Sequence, residues 1–228
     1  MAPAGGDGQA VPHPLCSPHT ARRGARMDQF SYFLTFYSIV LGLAVTELLG
    51  GFARMVRARA VRKLEPQTAL VALLTLIMIM SSWVDGWLAL KSTTIDLSGL
   101  WAPVLIAIFY YIAASVIFPH DEADYDRLAD YYAERRRFII AMLLAVGMLT
   151  HVIYRHFFMD QFRHAPAVFW LWIAPYNVAV DAVNVALLFA TGRRWNIILL
   201  ALLTLLITIP YWEFGLFRHM IARAYGYA

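Results

Sequence analysis

Six long apolar segments follow one another along this chain of 228 residues, separated by short connections that carry most of the charge. They cover residues 30–52, 68–90, 99–118, 138–158, 167–190 and 196–217. A helix needs about 20 apolar residues to cross the roughly 30 Å hydrocarbon core of a bilayer, so each segment can supply one span. The apolar residues run continuously instead of alternating, which argues against the strands of a barrel. The pattern predicts an all-α protein, with one bundle of six transmembrane helices over residues 27–228.

Composition and charge agree with this prediction. The chain is 61% hydrophobic and 15% charged, whereas a soluble domain carries about 25% charged residues. The net charge of +4 comes from arginines that flank the apolar segments, so anionic lipid headgroups are the expected partners and nucleic acid is not. The lipid-facing candidates are Arg54, Arg57, Arg59, Arg62, Arg135, Arg136 and Arg137.

The first 26 residues differ from the rest, because Gly, Pro and Ala dominate them and no apolar run is long enough for a signal peptide. We expect this tail to be disordered. Met27 directly precedes the first apolar segment and is an alternative translation start. The tail holds the only cysteine, Cys16, which excludes an internal disulfide and argues against a cysteine-based metal site.

The distribution of basic residues predicts the orientation. Eleven Lys and Arg residues lie in the first, third and fifth connections, against five on the other side, or eight with the tail. The richer side is expected to be cytoplasmic, which places both termini outside a bacterial inner membrane. Six of the seven tryptophans fall near the outer boundary of this arrangement, where an interfacial belt is expected.

The longest connection, residues 119–137, predicts a short amphipathic helix on the cytoplasmic surface. Tyr125, Leu128 and Tyr132 recur at helical spacing, with acids at the start and arginines at the end. An aspartate-rich metal–diphosphate site is the alternative, but the second acidic motif that such a site requires is lacking. A metal site at His120, Asp121 and Glu122 has less support still.

Polar residues inside the segments are costly in hydrocarbon, and each raises a functional hypothesis. Their positions sort them into two layers. The outer layer contains Asp85, His151, Arg155 and Glu213, and the inner layer contains Glu47, Asn177, Asp181 and Asn184.

In the outer layer, Arg155 can pair with Asp85 or Glu213, which would form a structural ion-pair network. The alternative is an outward-facing vestibule for a small ligand or ion, in which His151 titrates near neutral pH.

In the inner layer, Glu47 and Asp181 lie at comparable depth, so they are expected to be protonated or to share a cation or proton. The fifth segment adds Asn177 and Asn184 at helical spacing from Asp181, which gives a polar stripe. The structural alternatives are a snorkelling Glu47 and helix association. Small residues recur every four positions in the first segment, which favours close helix packing: Ser38, Gly42, Thr46 and Gly50.

The segment FYSIVLGLAVTELLGGFARM, with the Tyr- and Arg-rich third connection, resembles a group of small bacterial integral membrane proteins without an assigned activity. This resemblance covers most of the chain. The first segment also resembles the first helix of six-span potassium channels, through Phe36, Val40, Gly42, Ala44 and Thr46. Those channels carry a Phe-Ser-Asp motif where this chain has Phe36, Tyr37 and Ser38. The termini predicted for this chain also lie on the other side of the membrane from the termini of those channels.

The usual motifs of enzymes are missing: the chain has no HExxH, no Gly-rich phosphate loop beside a lysine and no paired acidic motif. No cofactor or metal is expected. Two function classes stay open. The first is a channel or transporter for protons, cations or a small solute, with Pro175 and Pro210 kinking helices around a cavity. The second is a sensor, scaffold or assembly partner, and either class allows self-association.

Overall fold

The computed structural model describes residues 18–90, 97–153, 155–164 and 166–209. These residues are helical and contain no strand, which confirms the all-α prediction. The helices are α1 (Pro18–Arg57), α2 (Pro66–Leu90), α3 (Leu97–Ile117), α4 (Leu128–Ile153), α5 (Arg155–His164), α6 (Pro166–Val168), α7 (Ala174–Phe189) and α8 (Arg193–Thr208). Short 3-10 turns at Val61–Lys63 and Glu122–Arg127 precede α2 and α4, and a π-helix at Phe169–Ile173 leads into α7.

Four helical segments among the described residues are long and apolar enough to cross a membrane: Ser31–Arg57, Pro66–Gly86, Ala123–Ile153 and Phe169–Phe189. They match the first, second, fourth and fifth predicted segments. The third predicted segment contains a shorter apolar helix, Trp101–Ile117. The sixth is represented by α8, which ends at Thr208. Its 16 described residues give a length of about 24 Å at a rise of 1.5 Å per residue.

The helices pack as a ring around a continuous apolar core. α1 packs against α2 and α3, α4 packs against α3 and α7, and α8 packs against α2 and α7. The core side of α1 carries Leu41, Ala44 and Leu48, each at most 3% exposed. This side is not the predicted stripe of small residues, since Gly42 and Thr46 face outward. Of the same stripe, Ser38 is half-buried and accepts a hydrogen bond from Trp83 Nε1 of α2 at 2.8 Å, so only part of the stripe meets a neighbouring helix.

α1 ends in a Schellman motif, which fixes the direction of the first connection. The Ala60 N–H donates to the Met55 carbonyl at 2.9 Å, and the Arg59 N–H donates to the Val56 carbonyl at 3.1 Å. Arg59 takes the left-handed conformation that this motif requires, with φ 56°. Ala60 and Met55 are both buried, which is the hydrophobic contact that commonly accompanies this cap.

The first, third and fifth connections lie at the same end of the bundle, which we call the inner end. Lys63 of the first connection pairs with Asp126 of the third, and Glu65 pairs with Arg193 at 2.5 Å. The Arg136 guanidinium donates to the Ala190 carbonyl, which joins α4 to the fifth connection. Consecutive long helices therefore run in opposite directions.

The separate surface helix predicted for residues 119–137 is not confirmed. The Glu122–Arg127 turn leads directly into α4 at Leu128. Tyr125, Leu128 and Tyr132 are at most 3% exposed, so the apolar face that was expected to lie on the membrane packs on the bundle instead.

The ends of the predicted elements also differ from the structure. α1 begins at Pro18, inside the tail expected to be disordered, and residues 1–17 lie outside the described residues. The fourth predicted segment is shared between α4 and α5. Pro175 follows the π-helix at the start of α7, and Pro210 lies outside the described residues.

Candidate functional site

The contact between α4 and α7 brings a histidine and a carboxylate together within apolar helices. His151 Nδ1 lies 3.7 Å from Asp181 Oδ2, and His151 Nε2 lies 3.4 Å from Asn177 Oδ1. The His151 and Asp181 side chains are 32% and 26% exposed, so neither is sealed in the core. The two predicted layers thus meet in one cluster, which we call the α4–α7 site: His151, Asn177 and Asp181.

The local structure of α7 holds Asn177 in one orientation. The Asn177 Nδ2 donates to the Ile173 carbonyl at 2.9 Å, at the last residue of the π-helix. Single π turns inside α-helices occur frequently at functional sites. Since the amide nitrogen is engaged, the amide oxygen of Asn177 faces His151 as an acceptor.

A glycine on α4 lies next to Asp181. A Cβ built on Gly147 would lie 3.7 Å from Asp181 Oδ1, which is ordinary van der Waals contact. Gly147 precedes His151 by one helical turn, so α4 presents a small residue and an imidazole to the same carboxylate. A longer side chain at Gly147 would occupy the space beside this carboxylate.

The α4–α7 site places an oxygen atom near each ring nitrogen of an imidazole. Both ring nitrogens of His151 face oxygen acceptors, one from Asp181 and one from Asn177. An imidazolium donates from both nitrogens, whereas a neutral imidazole donates from only one. His151 therefore has a hydrogen-bond contact with Asn177 and a longer ion-pair contact with Asp181.

Asn184 does not join this cluster. It is 3% exposed, and its Nδ2 donates to the Val180 carbonyl of the same helix at 3.2 Å. Its Oδ1 has no hydrogen-bond partner among the described residues. Of the predicted polar stripe on α7, Asn177 and Asp181 thus make polar contacts with α4, and Asn184 donates to the backbone of its own helix.

Glu47 and Asp181, the two acids of the predicted inner layer, each have a basic neighbour. Glu47 Oε1 lies 3.4 Å from Arg54 and 3.6 Å from His120 Nε2, at the inner end. Asp181 has its own partner in His151, and α1 and α7 do not form one of the closely packed helix pairs. Glu47 and Asp181 thus have different partners, Arg54 and His120 for the first and His151 for the second.

The other predicted outer residues lie apart from the α4–α7 site or outside the described residues. Asp85 lies on α2 and is half-buried. Arg155 is exposed at the start of α5, and among the described residues no ion pair joins it to Asp85. Glu213 lies outside the described residues.

A buried polar network at the inner end was not predicted from the sequence. Gln67 Nε2 donates to Asn196 Oδ1 at 3.1 Å, and the Tyr132 hydroxyl donates to the same oxygen at 2.9 Å. The three side chains are at most 8% exposed and come from α2, α8 and α4. Each residue lies near a helix start, where polar residues are common, so the sequence held no signal that they would meet.

Within the described parts of the chain, no three His, Cys, Asp or Glu side chains are grouped closely enough to hold a metal ion. The α4–α7 site supplies two titratable groups, one amide and no thiol. An imidazole, a carboxylate and an amide can exchange protons or contact a small cation.

The apolar helices and the polar groups between them define the class: an all-helical, multi-pass membrane protein. Comparison with known proteins finds no matching family model, no matching curated protein and no matching solved structure. The functional argument therefore rests on the residues of this chain.

Proposed function

We propose that the protein moves protons, or a solute coupled to protons, across the membrane, and that the α4–α7 site binds the proton. One observation carries this proposal: both nitrogens of His151 face oxygen atoms, Asp181 at 3.7 Å and Asn177 at 3.4 Å, within two segments that are long and apolar enough to cross a membrane. Ionisable groups inside membrane segments commonly mark proton relays and ion pathways. Histidine exchanges protons in the physiological range of pH.

The proposed topology has six spans, in which the shorter helices α3 and α8 join the four long apolar segments. Contacts at the inner end support six spans. Phe118 follows the last residue of α3 and lies against Gly51 of α1 near the inner end, so α3 ends at the inner end and begins at the opposite one. The inner end collects eleven basic residues from three connections and is proposed to be cytoplasmic, in a bacterial inner membrane with both termini outside.

Exposed arginines at the inner end are proposed to contact anionic lipid headgroups. Arg57, Arg59, Arg62 and Arg137 are exposed there. The other three predicted arginines also have partners within the chain: Arg54 pairs with Glu47, Arg135 stacks at 3.9 Å on the Tyr131 ring, and Arg136 bonds the Ala190 carbonyl. Lipid contact is therefore strongest for the exposed set.

The test of transport uses purified protein in liposomes that contain a pH-sensitive dye, with an imposed pH gradient and a clamped membrane potential. We expect proton flux with the wild type, and a loss of at least tenfold with Asp181→Asn or His151→Gln, because each change removes one half of the ion pair. Asp130→Asn is the matched control, since this exposed acid pairs only with Arg127 of its own helical region. It should retain wild-type flux.

Folding of each variant is checked by its elution in detergent and its helical circular dichroism. A wild type without flux under any gradient, or a folded Asp181→Asn variant with normal flux, would contradict the proposal. Either result would favour the second class, a sensor, scaffold or assembly partner in which the His151–Asp181 pair joins helices.

A further inference from the structure

An open cavity lies at the inner end of the bundle, where the third connection leads into α4. Its volume is about 190 Å³, below the roughly 300–1,000 Å³ of pockets that hold drug-sized ligands. Charged side chains and one phenol line this inner-end cavity: Asp124, Arg127, Tyr131, Glu134 and Arg135. Its size and lining therefore suit a small group that carries charge.

Tyr131 forms a fixed wall of the inner-end cavity. Its hydroxyl donates toward the Val116 and Phe118 carbonyls at the end of α3, at 3.2 Å and 3.4 Å. Tyr131 is 9% exposed, so its ring is held between α3 and α4. The Arg135 guanidinium stacks on this ring, 3.9 Å from its centroid. The cationic group of Arg135 therefore rests on a surface that two helices hold in place.

The charges that line the inner-end cavity balance, with two guanidiniums and two carboxylates. Arg135 Nη1 lies 3.5 Å from Glu134 Oε2 inside the cavity, and Arg127 Nε lies 3.9 Å from Asp130 Oδ2 outside it. Charge-assisted hydrogen bonds are about 2.7–2.9 Å long, so both contacts are loose. Each guanidinium has five N–H donors, and most of them stay available to a ligand. The cavity can therefore receive a negative and a positive group at the same time.

The position of the inner-end cavity along α4 matches the headgroup layer of a bilayer. Tyr131, Arg135 and Phe138 are spaced by four and three residues, so they share one side of the helix. Phe138 is 45% exposed and begins the fourth apolar segment. Arg135 lies three residues before it, about 4.5 Å along the helix axis. The polar layer is about 5–8 Å deep on each side of the hydrocarbon core, so the cavity lies at headgroup depth and Phe138 lies beside the acyl chains.

We propose that the inner-end cavity binds the zwitterionic headgroup of phosphatidylethanolamine. The phosphate accepts hydrogen bonds from Arg127 and Arg135, whose planar guanidiniums match phosphate oxygens. The ammonium donates to the carboxylates of Asp124 and Glu134. A choline headgroup has no N–H to donate, and an anionic headgroup without an ammonium would leave both carboxylates facing its negative charge. The acyl chains then lie along Phe138. This binding does not depend on the proposed proton transport.

The test is native mass spectrometry of the full chain with phosphatidylethanolamine, phosphatidylcholine or phosphatidylglycerol of identical acyl chains. We expect the wild type to bind phosphatidylethanolamine about tenfold more tightly than phosphatidylcholine, because only the first donates to the carboxylates. Arg127→Gln and Arg135→Gln should each lower the affinity for phosphatidylethanolamine about tenfold. Glu134→Gln should reduce the preference over phosphatidylcholine. Arg137→Gln is the matched control, since this exposed arginine of α4 does not line the cavity and its loss should leave the affinity unchanged.

Equal affinities of the wild type for phosphatidylethanolamine and phosphatidylcholine would overturn the proposal. Equal losses in Arg127→Gln and Arg137→Gln would also overturn it, because they would indicate a general basic surface. Displacement of the lipid by an equal concentration of free phosphoethanolamine would assign the cavity to a soluble ligand instead. Arg127→Gln leaves the stack of Arg135 on Tyr131 in place, so it tests the site even if Arg135→Gln does not fold. The result stands or falls whatever the proton flux.

Discussion

Replacement of Asn196 by leucine should destabilise the protein more than replacement of any other buried asparagine that the structure describes. Asn196 is fully buried, and its Oδ1 accepts from Gln67 at 3.1 Å and Tyr132 at 2.9 Å. Leucine has a similar volume but no acceptor, so the change leaves two buried donors without partners. Each orphaned donor costs about 1–3 kcal/mol. Polar contacts between membrane helices average only about 0.6 kcal/mol. For two orphaned donors we therefore expect a total loss toward the low end of this cost, about 2–4 kcal/mol.

The same reasoning predicts how the cost can be recovered. Tyr132→Phe alone removes one hydrogen bond and should cost about 1 kcal/mol. The triple variant Gln67→Met, Tyr132→Phe, Asn196→Leu removes the two donors and their acceptor together. Replacing all partners of a hydrogen bond by apolar groups of similar shape is nearly neutral. The triple variant should regain stability to within about 1 kcal/mol of the wild type, despite carrying more substitutions than Asn196→Leu.

The assay is equilibrium unfolding in mixed micelles of dodecylmaltoside and SDS, followed by circular dichroism and tryptophan fluorescence. Asn184→Leu is the matched control: Asn184 is also buried but donates only to its own helix, at Val180. It should keep or slightly raise the free energy of unfolding. Equal stabilities of Asn196→Leu and Asn184→Leu would refute the reasoning, as would a triple variant whose loss equals the sum of the three single losses.

Two further predictions concern packing and topology. Gly51→Ala should lower the free energy of unfolding by about 1–3 kcal/mol in the same assay, because its Cβ would lie 2.7 Å from Phe118. Gly42→Ala is the control and should cost nothing measurable, since a Cβ there would have nothing within 4 Å. Equal losses in the two variants would contradict the close contact between Gly51 and Phe118. In a chain without its native cysteine, an impermeant maleimide on intact cells should label a cysteine at His164 and not one at Arg62, whereas the reverse pattern would invert the proposed orientation.

The apolar pattern was sufficient to predict the helices, because continuous apolar runs of about 20 residues have few other solutions. The pattern did not predict which side of a helix meets its neighbour. In α1, Gly42 and Thr46 suggested a packing face, yet Leu41, Ala44 and Leu48 are buried instead. Small residues permit close approach, but the partner helix decides which side is used.

Depth counted along each segment separated His151 from Asp181, although the two side chains are in contact. By helical rise they lie about 20 Å and about 14 Å from the inner ends of their predicted segments. Side chains lean toward the N-terminus of their own helix. α4 starts at the inner end and α7 at the opposite end, so His151 leans inward and Asp181 leans outward. Side chains on antiparallel helices therefore lean toward each other in depth, which lets two residues touch although a count along their segments places them at different depths.

The hydrogen bonds of Asn196 also bear on how the chain is made. Gln67 and Asn196 are separated by 129 positions in the sequence, so α2 and α4 enter the membrane long before their common acceptor is synthesised. Until α8 arrives, Gln67 and Tyr132 face the assembling bundle without this partner. A nascent or truncated chain that stops before Asn196 therefore lacks the acceptor of two buried donors at its inner end, and arrival of α8 supplies it.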